Sequence, residues 1–192
     1  MKKLVFATNN LNKTAEIRLA LDGEYEVLNL NDIGCTEDIP ETADTFEGNA
    51  YLKSSYVVKN FRLDCFADDS GLEIEALNGE PGVYSARYSG TRSNENNIDL
   101  VLEKLKGITN RNARFKTVIS LIQNGEHFLF EGTINGSIRL ERSGAQGFGY
   151  DPVFQPDGYD ITFSEMDMQQ KNQISHRAIA LRKMIAFLKQ QP

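Results

Sequence analysis

An α/β protein with a mixed sheet is what this sequence predicts. Three observations carry that reading: apolar strand-like runs alternate with helical patterns, Asn124-Gly125 joins two β-rich runs as a hairpin, and the last segment closes as an amphipathic helix. A chain of 192 residues can bury a full hydrophobic core, so one domain over residues 1–192 is the expectation, with room for two lobes sharing one sheet. Lys3 to Ala7 reads as the first strand. Thr8 to Lys13 is a polar loop opening a helix that runs to about Leu21, with Ile17, Leu19 and Leu21 apolar. Tyr25 to Leu30 reads as the second strand, and Thr45 to Phe61 as a helix capped by Asp44 or Thr45.

Further along, Cys65 to Leu77 reads as strand, turn and strand, the turn falling at Asp69-Ser70-Gly71. Ser93 caps a helix through Leu105, with Ile98, Val101, Leu102 and Leu105 on one face and Gly107 as the stop. Ala113 to Gln123 and Glu126 to Ile138 are the hairpin strands. Ser175 caps the closing helix to Lys189, with Ala178, Leu181, Ile185 and Leu188 facing inward. The antiparallel hairpin among strand-helix alternations is what makes the sheet mixed.

Composition narrows the class. Hydrophobic residues at 40% and charged residues at 25% suit a globular chain rather than a disordered one. No apolar run reaches membrane-span length, and the apolar part of MKKLVFATNN is too short for a signal peptide, so a cytoplasmic protein without a membrane partner is expected. Cys35 and Cys65 have no metal-ligand spacing and read as free thiols. A net charge of −6 disfavours a nucleic-acid partner and points to a small anionic ligand met by a local group of cations.

The chemistry-bearing residues lie beside structural breaks. Asp68 and Asp69 end an apolar run; at a strand tip both carboxylates can face one cleft and hold Mg²⁺ together with substrate phosphates. An exposed Asp-Ser-Gly turn is the alternative. Asn10 and Lys13 stand at a helix mouth that attracts anions, and Lys53 shares a helical face with Asn49. Solvated lysines are the competing reading for both. Glu41 lies in an acidic, Pro-containing loop. In GFGYDPVF the flanking glycines leave Phe148 or Tyr150 free to stack on a base, or the rings plug the core. His176 and Arg177 stand in the first turn of the closing helix, where the dipole disfavours cations, with Lys171 a few residues upstream.

In content and order, long motifs of this chain resemble the inosine triphosphate pyrophosphatase family. They are Thr8-x-Asn10-x-x-Lys13, Thr45-Phe46-x-x-Asn49-Ala50-x-x-Lys53, Ala67 to Leu72, Pro81 to Tyr88, Gly147 to Pro152 and Ile174 to Arg177. The resemblance implies a long mixed central sheet flanked by helices, two lobes with the active cleft between them, and a homodimer. It implies Mg²⁺-dependent hydrolysis of non-canonical purine nucleoside triphosphates (ITP, dITP, XTP) to the monophosphate and pyrophosphate. Carried over by position, Thr8, Asn9, Asn10, Leu11, Asn12 and Lys13 hold the triphosphate. Asp69 is then catalytic base and metal ligand, Glu41 a second metal contact and Asp68 a supporting carboxylate. Ser70 and Lys53 are further substrate contacts, Phe148, Gly149, Tyr150 and Asp151 receive base and sugar, and Lys171, His176 and Arg177 complete the pocket. The chain departs from the pattern at Gly48, preceded by Glu47, where the family often has Glu, and at Gln169 and Gln170, where acids often stand. A nucleotide sensor that binds without cleaving is the rival reading, and the Asp pair beside two lysines speaks against it.

Overall fold

The computed structural model describes residues 1–21 and 23–190; the side chains of Asn12, Glu16, Leu19 and Ala20 lie outside the described set. In chain order the elements are β1 (Lys2–Phe6), α1 (Leu11–Ala20), β2 (Tyr25–Leu28), α2 (Phe46–Phe61), β3 (Cys65–Ile74), α3 (Asn94–Lys104), β4 (Asn112–Gln123), β5 (Glu126–Ile138), β6 (Phe154–Pro156), α4 (Met168–Ile174) and α5 (His176–Lys189). One six-stranded sheet runs in the order β2-β1-β3-β4-β5-β6. β1 pairs in parallel with β2 and β3, whereas β5 and β6 are antiparallel, so the sheet is mixed as expected. Asn124 (φ 51°) and Gly125 (φ 81°) make the β4–β5 turn, with the two left-handed residues that a two-residue hairpin of right-handed twist requires.

The chain divides into two compact units. The first comprises Met1–Asp69, Val118–Glu131 and Ala180–Pro192, and the second Ser70–Thr117 and Gly132–Ile179. Strand alternation sorts the first unit's core into two clusters. Leu4, Phe6 and Phe66 pack with Ile17 and Met184 on one face, while Val5, Ala7, Cys65 and Ala67 pack with Leu30 and Val57 on the other. Both faces are covered, which is why β1 reads as a nearly unbroken apolar run. The Phe6 and Phe66 rings stack at 4.4 Å. The second unit gathers Leu72, Ile74, Ile98, Val101, Phe115, Phe154 and Phe163 into its own core. Each such fully buried side chain contributes about 1.5–3 kcal/mol relative to exposure.

Caps fall where the sequence puts them. Thr45 Oγ1 accepts from Gly48 N at 3.0 Å, Ser93 Oγ from Asn96 N at 3.3 Å, and Ser175 Oγ from Ala178 N at 3.3 Å. Gly48 has a packing reason of its own, since a Cβ there would stand 2.6 Å from Ala43 Cβ. Three expectations are corrected. There is no turn at Asp69-Ser70-Gly71: β3 is continuous to Ile74 and ends in a short 3₁₀ turn, Glu75–Leu77. β2 stops at Leu28, because Leu30 N turns to Thr8 O at 3.2 Å and Asn29 and Asp32 bond one another instead of extending the ladder. α4 is an additional helix, capped by Asp167, whose side chain accepts from Gln170 N at 2.8 Å. Among the described residues no helix is long and apolar enough to cross a membrane.

Candidate active site

Because β3 continues through Asp68 and Asp69, their side chains leave opposite faces of the strand, rather than swinging together from a strand tip. Helices on the two faces receive them. Lys13, in the first turn of α1, bonds both oxygens of the buried Asp68 carboxylate, at 2.9 and 3.2 Å. Asn10 sets that lysine by capping α1: its Oδ1 accepts from Lys13 N at 3.2 Å, and Asn10 N in turn donates to Thr8 Oγ1 at 3.2 Å. Asn9, Asn10 and Leu11 are exposed, while the side chain of Asn12 is outside the described residues. On the other face, Asn49 Nδ2 donates to Asp69 Oδ2 at 3.1 Å, and Asn49 Oδ1 accepts from Ala43 N at 2.9 Å.

One turn along α2, Lys53 Nζ donates to Glu41 Oε1 at 2.5 Å and to the Asp68 carbonyl at 2.6 Å. Glu41 is therefore part of the cluster, not a bystander in its loop. Burial alone would lower the Lys53 pKa, but Asp68, Asp69 and Glu41 together outweigh it and hold the ammonium above its ordinary value. That balance has a chemical meaning. Two lysines face three carboxylates, a surplus of hard oxygen donors with cations at hand for phosphate. Among the described residues no three acidic or imidazole side chains converge closely enough to enclose a cation by themselves. Such a donor set fits Mg²⁺, which takes one or two carboxylates and completes its shell with water and phosphate oxygens.

The second unit holds the remaining candidates. Ser70 Oγ lies 2.8 Å from Thr117 Oγ1, and Arg177 Nη2 reaches Ser70 Oγ at 3.5 Å. The segment after Gly147 splits the two readings of its aromatic residues. Phe148 is 63% exposed, whereas Tyr150 is buried and donates its hydroxyl to the Ser85 carbonyl at 2.9 Å. Burial, helped by nearby Tyr88, pushes the Tyr150 phenol pKa up. Asp151, also buried, builds the loop from within: its carboxylate accepts from Phe148 N at 2.9 Å and from the Lys171 ammonium. Gly147 (φ 81°) makes room for it, since a Cβ there would lie 2.2 Å from Asp151 Oδ2.

Lys171 also stands 5.1 Å above the Phe148 ring and 5.3 Å above Phe163, and the Arg177 guanidinium is 5.9 Å from Phe148. Two cations thus flank one exposed ring, within cation–π range. His176 is buried and stacks on Phe115 with ring centroids 4.8 Å apart and planes 11° from parallel. Asn49 is visible in the sequence as the residue one turn before Lys53, and Ser85 lies within the Pro81 to Tyr88 motif, though with no role attached to it. Thr117 is the contributor with no sequence signal, because only the neighbouring of β3 and β4 brings it to Ser70.

Fold and site together define the class: a mixed-sheet α/β protein whose central strand carries adjacent aspartates, each tied to a different helix. The chain belongs to the Ham1 family, whose model matches residues 4–187, in keeping with the family resemblance of its motifs. It is 54% identical over 188 residues to a dITP/XTP pyrophosphatase of Flavobacterium psychrophilum, covering 97% of this chain and 99% of that one. It is also 54% identical over 191 residues to a dITP/XTP pyrophosphatase of Porphyromonas gingivalis, covering 98% of each. Among solved structures, the Ham1 protein of Staphylococcus aureus matches with a TM-score of 0.94 at 43% identity over 98% of both chains. A HAM1 protein from Coxiella burnetii matches at 0.95 and 38% over 100% of both.

Proposed function

We propose that this chain is a Mg²⁺-dependent pyrophosphatase that hydrolyses ITP, dITP and XTP to the nucleoside monophosphate and pyrophosphate, clearing them from the cytoplasmic pool before incorporation. The observation that carries it is the cluster in which Lys13 and Lys53 meet Asp68 and Glu41 while Asn49 holds Asp69. Near-full-length relatives named dITP/XTP pyrophosphatase supply the substrate class.

In this reading Asp69 and Glu41 hold the metal, with Asp68 in support. When bound, Mg²⁺ neutralises phosphate oxygens and acidifies water. The segment Thr8 to Lys13 receives the triphosphate, and Lys53 and Ser70 contact its remaining oxygens. Asn49, donating to Asp69 Oδ2, orients the carboxylate that takes a proton from water. The water oxygen bonds the α-phosphorus, the bond from that phosphorus to the α–β bridging oxygen breaks, and pyrophosphate leaves. Phe148 stacks on the base, Gly149 to Asp151 shape its seat, and Lys171, His176 and Arg177 complete the pocket. A donor aimed at the 6-keto oxygen is left unpaired by adenine, a discrimination that reaches roughly 10⁴ in sites built on such bonds. The active species is a homodimer.

A panel of inosine, xanthosine, guanosine, adenosine and pyrimidine triphosphates, assayed for pyrophosphate with and without Mg²⁺, tests this. Release confined to the inosine and xanthosine substrates and dependent on Mg²⁺ is expected. Tight binding of dITP with no pyrophosphate would make the chain a sensor.

A further inference from the structure

Outside the candidate active site, the first unit contains a closed circuit of contacts, three of them polar and one a packing of rings. Ser54, on α2, and Ser120, on β4, are each 0% exposed, and their hydroxyl oxygens are 2.8 Å apart. Ser120 Oγ lies 2.9 Å from His127 Nε2 on β5. The His127 ring packs against Tyr51, with centroids 4.8 Å apart, and Ser54 Oγ returns to the Tyr51 carbonyl at 3.2 Å. The circuit runs Tyr51, Ser54, Ser120, His127 and back to Tyr51, touching α2 at two points one turn apart.

Its placement is unusual in energetic terms. Apart from Asn49, which reaches Asp69, the buried side of α2 is held by Phe46, Ala50 and Val57, and an apolar residue at 54 would pack there without a polar group of its own to satisfy. Apolar contacts tolerate small slides and rotations of a helix, whereas a hydroxyl pair in a dry interface is directional and costly to break. The pin is adjacent in sequence to Lys53, whose ammonium makes bonds of 2.5 and 2.6 Å, and lies five residues from Asn49, which holds Asp69. A rotation of α2 that broke the Ser54–Ser120 contact would move both.

We propose that Ser54, Ser120 and His127 are positioning residues that fix the rotation of α2, and through it the placement of Lys53 and Asn49. The proposal rests on the function assigned above to those two residues, and on nothing that His127 or the serines do to substrate directly.

The test is steady-state dITP hydrolysis by S120A, S54A, S54A/S120A, H127F and H127Q, at a temperature well below each variant's unfolding midpoint. H127F keeps a ring against Tyr51 and loses the nitrogen; H127Q keeps a polar group able to reach Ser120. Under those conditions a merely structural role leaves kcat/KM untouched. The expected result is a fall of about tenfold in S120A and H127F, below the ~100-fold that a 1 Å misplacement can cost. The double variant should lose no more than S120A alone, and H127Q should recover most of the loss. Wild-type kcat/KM in folded S120A and H127F overturns the proposal; if S120A does not fold, H127F decides alone, because its site is at the surface. Wild-type protein that fails to cleave dITP would refute the functional reading instead.

Discussion

Around Asp68 the charged groups stand on a strand and two helices, with Glu41 alone on a loop, and each is held by another side chain: Lys13 by Asp68, Lys53 by Glu41, Asp69 by Asn49. Around Phe148 the surface is a loop, its ring 63% exposed, shaped by glycines and braced beneath by one buried aspartate. The first arrangement suits a task in which charge must sit within tenths of an ångström of a developing charge. The second suits recognition of a flat ring, where area and stacking matter more than angle. Damage to the first should therefore appear as lost turnover, and damage to the second as weakened binding.

The sharpest way to break that contrast is Asp69→Asn. Asn49 Nδ2 can still donate to the new amide oxygen, so the fold should hold, while turnover should fall by about a thousandfold. Pyrophosphate release alongside thermal unfolding checks both halves; a variant that keeps wild-type turnover removes Asp69 from the mechanism. Next in size is Gly147→Ala, which forces a side chain into a left-handed residue and within 2.2 Å of Asp151 Oδ2. A loss of about 2 kcal/mol in unfolding free energy is expected, with a rise in KM as the Phe148 seat distorts. Denaturant titration and dITP kinetics read it out.

Phe148→Ala should be purer. An exposed ring contributes little to the fold, so stability should change by less than about 0.5 kcal/mol. The KM for dITP should rise about tenfold with kcat nearly unchanged, as expected for a stacking contact of about 1–3 kcal/mol. An equal fall in kcat would mean that the loop also orders the reacting phosphate.

The smallest effect concerns pH. Partial desolvation of the largely exposed His127 ring lowers its pKa below 6.5, so folding favours its neutral form. That contribution is complete above 6.5, the ordinary value, and declines as pH falls through the lowered one. Urea midpoints measured on either side of that range should show a shallow acid-side loss that His127→Phe abolishes.

Legibility in the sequence followed the locality of the cause. Thr45, Ser93 and Ser175 were readable as caps, and Asn124-Gly125 as a hairpin turn, because each acts within three or four residues. Asp69-Ser70-Gly71 has the composition of a turn, while the forces keeping it extended are remote: neighbouring strand β4, Asn49 at Asp69 and Thr117 at Ser70. α4 was missed because none of its residues is buried, leaving no apolar period to detect. For the candidate site, the motifs name residues but carry no information on their pairings. Nothing local says that Glu41 meets Lys53, or that of two nearby aromatic residues Phe148 faces out and Tyr150 inward.

The space beside Gly147 has a consequence for the history of the sequence. The volume that any side chain at 147 would need is filled by the Asp151 carboxylate, which is itself tied to Phe148 N and Lys171. Shortening residue 151 would clear that volume and strip Lys171 of its partner, yet the backbone at 147, with φ 81°, would still strain any side chain placed there. Two separate barriers therefore stand against replacement at 147, and a change at 151 removes only one of them.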